Sequence, residues 1–383
     1  MGRVLVVATA GAGGDLQPLL AAALALRDRG HETTFVGDRS VRRSLLPLHL
    51  DVETLPAEFD LGPTLVSAVR DAMAATGGDL VASGPILQDR LADWARRVAD
   101  PVAHAVRDHH PDAMVTSLFG VEVLSTVSPL CPWAVINSTF YVGPDPPRPL
   151  EDDFGPRAIP LIERFASLLD SATLVLHATD PEFDFAFGGL PPRHHYVGPL
   201  GIWEPPSELT PYLDEPGDPW VLVSISSQQQ DDLPLAEAAL GGMSGRPLRV
   251  VLTLGPDHDP SELSSVPANA RVERTVSHSA VLERGVLLVS HAGHGSVMKA
   301  LWHGRPMVLV PWGRDQPGVA ARAAALGVAE VIPRELVSEQ ALSVAIDRGL
   351  SDRVLKETAG RHGSRLRATD PPATAASLIE TLL

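Results

Sequence analysis

The feature that most constrains this chain is a run of five apolar residues, Val4 to Ala8, that leads into Gly11-Ala12-Gly13-Gly14 and then into a helical pattern. An unbroken apolar strand is stable only where both of its faces are covered, as in a parallel strand flanked by helices. Leu16, Leu19, Leu20, Ala23 and Leu26 recur at helical spacing, Pro18 suits a first helical turn, and Gly30 a helix stop. His31 to Val36 reads as a second strand. Strand, glycine turn, helix and strand make a βαβ unit, the seed of a doubly wound α/β sheet.

The alternation continues. Residues 113–117, 133–137 and 174–177 read as strands, residues 54–90 as loops and helices, and residues 144–149 as a Pro-rich extended loop. A Pro-, Gly- and acid-rich stretch without periodicity spans 201–218 and reads as an interdomain linker. A second α/β series follows, with strands at 220–224, 249–254, 271–273, 286–290, 307–310 and 329–331, and a last helix at 373–383. The expected organisation is an N-terminal domain over 1–200, the linker, a C-terminal domain over 219–365, and a C-terminal helix in 366–383 that returns toward the first domain. A length of 383 residues suits two such domains.

Composition excludes several classes of partner. The formal net charge is −16, and a basic face for nucleic acid or anionic membrane is not expected. No run of about 18 apolar residues exists to span a membrane. The first apolar run is too short for a signal peptide and reads as a buried strand, so the expected location is cytoplasmic. The single cysteine, Cys131, excludes an intramolecular disulfide and Cys-rich metal sites and reads as a small buried hydrophobe.

The densest chemical signal is Ser290-His291-Ala292-Gly293-His294-Gly295-Ser296, between an apolar strand and a helical pattern. Glycines there let backbone N–H groups approach phosphate oxygens, and the helix N-terminus adds partial positive charge. The side chains of His291 and Ser296 are further donors. A plain βα turn with a surface His294 is the alternative. About twenty residues on, a strand ends in Pro311-Trp312-Gly313-Arg314-Asp315-Gln316-Pro317. Strand C-termini face the ligand crevice of open α/β sheets. A carboxylate beside a carboxamide suits a polyol, because one accepts while the other donates and accepts. A polar turn closed by Pro317 is the alternative there.

Together these segments resemble the donor-binding signature of nucleotide-sugar-dependent glycosyltransferases of the two-Rossmann GT-B fold, of the bacterial natural-product, sterol and glycopeptide-antibiotic type. The matching residues are Val276, His278, Val281-Leu282, Ser290 to Ser296, Gly304-Arg305-Pro306 and Asp315-Gln316-Pro317. Residues 221–227 resemble the family's first C-domain strand and phosphate loop, Tyr196-Val197-Gly198-Pro199-Leu200 its approach to the linker, and Gly14-Asp15-Leu16-Gln17-Pro18 an N-terminal motif of the sterol and glycopeptide members.

The resemblance implies an α/β fold of two Rossmann-like domains facing each other across a cleft. It implies an inverting, metal-independent hexosyltransferase with no resident cofactor, whose co-substrate is a dTDP- or UDP-sugar and whose acceptor is a small hydrophobic aglycone. By it, His291, Ser296 and the backbone of Gly293, His294 and Gly295 meet the diphosphate, Ser227 touches phosphate, the backbone at Val276 meets the base, and Asp315 and Gln316 hold sugar hydroxyls. Three positions depart from the family pattern. Ser226 stands where glycine is common. Lys299 stands where many members carry a ribose-binding Glu, and an ammonium cannot accept a hydrogen bond, which leaves UDP and dTDP both open and admits a deoxyribose. Ser117 stands where plant-type members carry a base-orienting Asp.

Transfer to a hydroxyl needs a base and stabilisation of the departing diphosphate. Asp15, at the first βα turn, is the candidate base; its ordinary pKa of about 3.9 would have to rise by burial. A helix N-cap is the competing role. Phe119, Phe140 and Tyr141, near two strand ends, suit a flat acceptor pocket or a core equally. His31 reads as structural, and His194 and His195 lie near the linker. The competing functions are an NAD(P)-dependent oxidoreductase using Gly11, Gly13 and Asp38, whose third fingerprint glycine is replaced by Leu16, a nucleotide-sugar 2-epimerase on the same fold, and a non-catalytic binding protein.

Overall fold

A computed structural model of the protein describes residues 1–9, 14–127, 131–141, 159–184, 189–202, 204, 211–227, 230–255 and 258–383. The glycine loop at Gly11 and Gly13, the Pro-rich stretch 144–149 and residues 205–210 of the expected linker lie outside the described residues. The chain forms two compact units: Met1–Ala178, Phe185–Leu200 and Pro371–Leu383 in the first, Thr179–Asp184 and Gly201–Asp370 in the second.

In the first unit the described strands are β1 (Arg3–Ala8), β2 (Glu32–Gly37), β3 (Val52–Thr54), β4 (Ala113–Ser117), β5 (Trp133–Asn137), β6 (Leu174–His177) and β7 (His194–Tyr196). They form one sheet in the order β3-β2-β1-β4-β5-β6-β7, and every pairing is parallel. Successive residues of β1 point to opposite faces. Val4, Val6 and Ala8 meet Leu16, Leu19, Leu20 and Leu26 of α1 (Leu16–Asp28). Leu5 and Val7 meet Trp94, Val98 and Val102 on the other side. This double burial is what the unbroken apolar run requires.

Before β4 the chain forms α2 (Arg39–Leu45), and the stretch 54–90 contains α3 (Leu61–Ala75) and the start of the long α4 (Leu80–His109). Pro85 and Pro101 lie inside α4 and each removes an interior N–H. Its buried face of Trp94, Ala95, Val98, Val102 and Val106 against the sheet outweighs that cost. The short α5 (Val121–Thr126) and α6 (Ile159–Leu169) complete this set. Cys131 is half-buried rather than fully buried, and burial pushes its thiol up to about 11.

The described strands of the second unit are β8 (Trp220–Ser224), β9 (Arg249–Thr253), β10 (Ala270–Glu273), β11 (Gly285–Ser290), β12 (Met307–Leu309) and β13 (Ala329–Val331). They pair in parallel in the order β10-β9-β8-β11-β12-β13. Its helices are α7 (Leu233–Met243), α8 (His278–Arg284), α9 (His294–Trp302), α10 (Gln316–Ala325), α11 (Glu339–Ser351) and α12 (Arg353–Arg367). Both sheets have the same progression, in which the chain runs outward one way and then restarts beside the first strand. The α/β class with two Rossmann-like domains is borne out.

The described part of 201–218 is folded onto the second unit. Arg249 donates to the carbonyls of Glu215 and Asp218, Trp220 Nε1 to that of Leu213, and Arg284 pairs with Asp214 at 2.6 Å. The last helix, α13 (Pro371–Glu380), belongs to the first unit, where Ile379 enters the core and Glu380 meets His31 Nε2 at 3.0 Å. The other nitrogen of His31 accepts from the Gly2 amide. Among the described residues, no helix is long and apolar enough to cross a membrane.

Candidate active site

In open parallel sheets a ligand crevice forms at the strand C-termini, where strand order reverses. That point lies between β8 and β11 in the second unit and between β1 and β4 in the first.

In the second unit, the loop from β11 to α9 begins with His291, which is 7% exposed. Its Nδ1 lies 3.1 Å from the Ser224 carbonyl at the end of β8. A carbonyl only accepts, so Nδ1 carries the hydrogen and Nε2 of the neutral ring is an acceptor. Burial lowers the pKa of His291, against the pull of Asp232 and Asp315, and favours that neutral ring. A Cβ on Gly293 would stand 2.5 Å from His291 Nε2. Glycine is therefore what lets the ring lie over the start of α9. Ala292 at φ 67° and Arg314 at φ 57° occupy the left-handed region, so both loops of the motif hold non-glycine residues under backbone strain.

The side chains expected to meet a donor divide into two groups. Ser296 Oγ is 3.3 Å from His278 Nδ1, and His278 Nε2 is 3.0 Å from Thr253 Oγ1. His278 thus supports the Ser296 hydroxyl, and burial with Lys299 nearby pushes its pKa down to about 4. The His294 ring, in contrast, is 7% exposed, sits 3.1 Å from Thr179 Oγ1 and meets Phe183 edge-on. Its imidazole is engaged in the packing of α9. Ser227 is half-buried beside Gly255, whose φ of 78° and missing Cβ admit the Ser226–Ser227 backbone. Val276 is buried before α8.

Asp315 and Gln316 open α10. Gln316 is 2% exposed, and its Oε1 accepts from the amides of Trp312 at 2.8 Å and Gly313 at 3.0 Å. This corrects the expectation that the carboxamide both donates and accepts: the oxygen is held by backbone, so the group offers an N–H. Lys299 is 4% exposed and gives its ammonium to Glu204 at 2.6 Å. The other Glu204 oxygen accepts from Ser277 Oγ and the Ser279 amide. Burial raises the pKa of Glu204, but Lys299, His278 and these hydrogen bonds outweigh it and hold the carboxyl below its usual range. The departure at 299 therefore has a partner that sequence reasoning missed, because Glu204 lay in a stretch read as linker.

In the first unit, Asp15 stands at the N-cap position of α1 but makes no side-chain cap hydrogen bond. Its Oδ1 accepts from Ser138 Oγ at 2.8 Å. Ser138 follows β5 in a turn that Asn137 organises, donating to the Phe140 carbonyl and accepting from the Thr139 amide. The hydroxyls of Thr9 and Ser117, at the ends of β1 and β4, are buried without hydrogen-bond partners. Asp15, Ser138 and these two hydroxyls mark the switch point of this sheet.

Phe140 and Tyr141 are 2% and 8% exposed, so their rings are interior walls. Tyr141 meets His177 and His194 edge-on. Phe119 is half-buried against the core beneath α4. His194, expected near the linker, lies in β7 and joins a chain that runs from the exposed Asp170 through the buried His194 and His177 to Asn137, with contacts of 3.0, 3.0 and 2.9 Å. Asp38 is 3% exposed and caps α2, accepting from the amides of Ser40 and Val41.

Comparison with known proteins agrees with this architecture. The fold is GT-B: the glycosyltransferase of kitacinnamycin superposes with a TM-score of 0.74 over 100% of this chain and 99% of its own, at 23% identity. The glycosyltransferase VinC, solved in complex with dTDP, gives 0.71 over 99% of each chain at 18% identity. Residues 242–382 match the family described as erythromycin biosynthesis protein CIII-like, C-terminal domain. The 4'-demethylrebeccamycin synthase of Lentzea aerocolonigenes is 31% identical over 223 residues, covering 57% of this chain and 52% of that protein. The chain spans about half the length of the curated relatives it matches first. In sequence and fold alike it is similar to GT-B nucleotide-sugar glycosyltransferases of the antibiotic type, as its motifs indicate.

Proposed function

We propose that the protein is an inverting glycosyltransferase that moves a hexose or deoxyhexose from a dTDP- or UDP-sugar to a hydroxyl of a small hydrophobic acceptor. The observation that carries this reading is the pairing of two loops on adjacent strand ends of one sheet. One holds His291 and Ser296 at the start of α9, and the next holds Asp315 and Gln316 at the start of α10. The first suits a diphosphate, the second a sugar beside it.

In this reading the backbone amides from Gly293 to Ser296 and the α9 dipole take up the charge of the departing diphosphate, without need of a metal. Asp315 accepts from sugar hydroxyls and Gln316 donates to them. Lys299, engaged with Glu204, offers a 2'-hydroxyl no acceptor, which supports dTDP over UDP. Asp15 takes the proton of the acceptor hydroxyl as its oxygen bonds to the anomeric carbon and the carbon–phosphate oxygen bond breaks. Ser138 orients that carboxylate. The oxidoreductase reading is disfavoured because Asp38, which it assigns to a ribose, is consumed in capping α2.

The test is thermal denaturation with UDP, dTDP, GDP, NAD and NADP, followed by incubation of the stabilising nucleotide's glucose conjugate with a panel of phenolic and macrolide alcohols under mass spectrometry. Ligand at about 100 times its dissociation constant adds roughly 2.7 kcal/mol. Stabilisation by dTDP or UDP and a product heavier by one sugar residue is the expected result. A response to NAD or NADP alone rejects the proposal.

A further inference from the structure

Gln230 lies between β8 and α7 and carries no role in the reading above. Its Oε1 accepts from Gln316 Nε2 at 2.9 Å, and its Nε2 donates to Asp232 Oδ2 at 2.9 Å. Asp232 is 0% exposed and makes no side-chain cap to α7. Instead its Oδ2 also accepts from the Ser226 amide at 2.8 Å. Asp231 adopts φ 60°, so the backbone turns sharply between the two residues.

The polarity of this chain is forced at both ends. A carboxylate only accepts, so the nitrogen of Gln230 faces Asp232 and its oxygen faces Gln316. Two backbone amides only donate, so the oxygen of Gln316 faces Trp312 and Gly313, and its nitrogen faces Gln230. Neither carboxamide can flip without opposing two like groups. In the sheet, β11 lies between β8 and β12. The Gln230–Gln316 contact thus ties the loops on either side of the His291 loop.

We propose that Gln230 is a positioning residue for the donor sugar: it holds the Gln316 carboxamide so that this group reads the sugar only as a donor. The inference rests on the glycosyltransferase reading. Its chemical consequence is a sugar with an oxygen at the position that meets Gln316, since a deoxy carbon there leaves the N–H unpaired. A hydroxyl at that position accepts from Gln316 and donates to Asp315.

The experiment measures dissociation constants of dTDP and dTDP-glucose by calorimetry for wild-type protein, Gln230→Leu and Gln230→Glu. The readout is the ratio of the two constants, which isolates the sugar. Gln230→Leu should weaken dTDP-glucose by about threefold to tenfold and leave dTDP within about twofold. Gln230→Glu places a carboxylate against Asp232. It should show the same loss at pH 8 and recover as the pH falls, when a shared proton restores donation to Asp232. An unchanged ratio in Gln230→Leu overturns the proposal, as does equal weakening of both ligands, which marks general damage to the loop. Wild-type protein that binds neither dTDP, dTDP-glucose, UDP nor UDP-glucose overturns the glycosyltransferase reading and this inference with it.

Discussion

His291 donates from Nδ1 to the Ser224 carbonyl across 3.1 Å, and this bond decides what the opposite nitrogen can offer. In the neutral ring, Nε2 presents a lone pair, which repels a phosphate oxygen. Direct contact with a diphosphate requires a proton on Nε2. Burial works against that proton, while Asp232 and Asp315 favour it. Nucleoside diphosphate binding should therefore take up a proton and tighten as the pH falls from 8 toward 6. Calorimetry in buffers of differing ionisation enthalpy measures the uptake. His291→Asn should bind more weakly and lose most of the pH dependence; a variant with the wild-type pH dependence would assign the proton elsewhere.

Asp15 makes no side-chain cap to α1 and its Oδ1 accepts from Ser138, so the isosteric change to Asn tests its charge while keeping its shape. Asp15→Asn should lower kcat by about a hundredfold or more, with the melting temperature near wild type. Ser138→Ala should have a smaller effect, because the carboxylate remains. Initial rates and thermal melts of both variants check this. Wild-type turnover in Asp15→Asn would remove Asp15 as the base.

Asp184 and Arg322 form an ion pair at 3.0 Å with both side chains 0% exposed. Removing Asp184 takes the carboxylate from a buried guanidinium that keeps its hydrogen bond to the Gly318 carbonyl but loses this ionic partner. Asp184→Ala should cost about 3–5 kcal/mol, whereas the double change Asp184→Leu with Arg322→Met should lose far less. Denaturant unfolding followed by tryptophan fluorescence distinguishes the two. A mild Asp184→Ala would mean that other groups carry the guanidinium charge.

Acid should weaken the fold earlier than its carboxylates alone predict. Burial lowers the pKa of His177 to about 3 and that of His278 to about 4. In the unfolded chain both imidazoles bind protons below about pH 6.5. The unfolded state then holds more protons, so stability rises with pH across this window and falls as acid is added. Each histidine contributes up to about 1.4 kcal/mol per pH unit there. Urea midpoints between pH 7 and pH 4.5 should decline, and less steeply in His177→Gln; equal slopes would refute this origin.

The elements of both sheets were legible where burial alone dictates residue type. The runs at β1, β4, β5, β8, β11 and β12 are buried almost without a break, and a strand covered on both faces is mainly apolar, with polar residues such as Ser117, Asn137, Ser224 and Ser290 at the strand ends. The two edge strands of the first sheet were not legible. β3 carries half-buried Val52, Glu53 and Thr54, and β7 begins with two histidines, so neither has an apolar signature. α4 ran against local preference, since two interior prolines are tolerated only because the sheet buries the helix face.

Sequence alone determined where strand ends meet helix starts, because an apolar run, a glycine-rich break and a helical period follow one another in order. It thereby named His291, Ser296, Asp315 and Gln316. Only the tertiary structure decided what those groups can do. Ser138 lies 123 positions from Asp15, and Gln230 lies 86 from Gln316. Local periodicity encodes which side chains are buried. Which donor faces which acceptor depends on strand order and register, and these bring distant residues to hydrogen-bonding distance only once the sheet has formed.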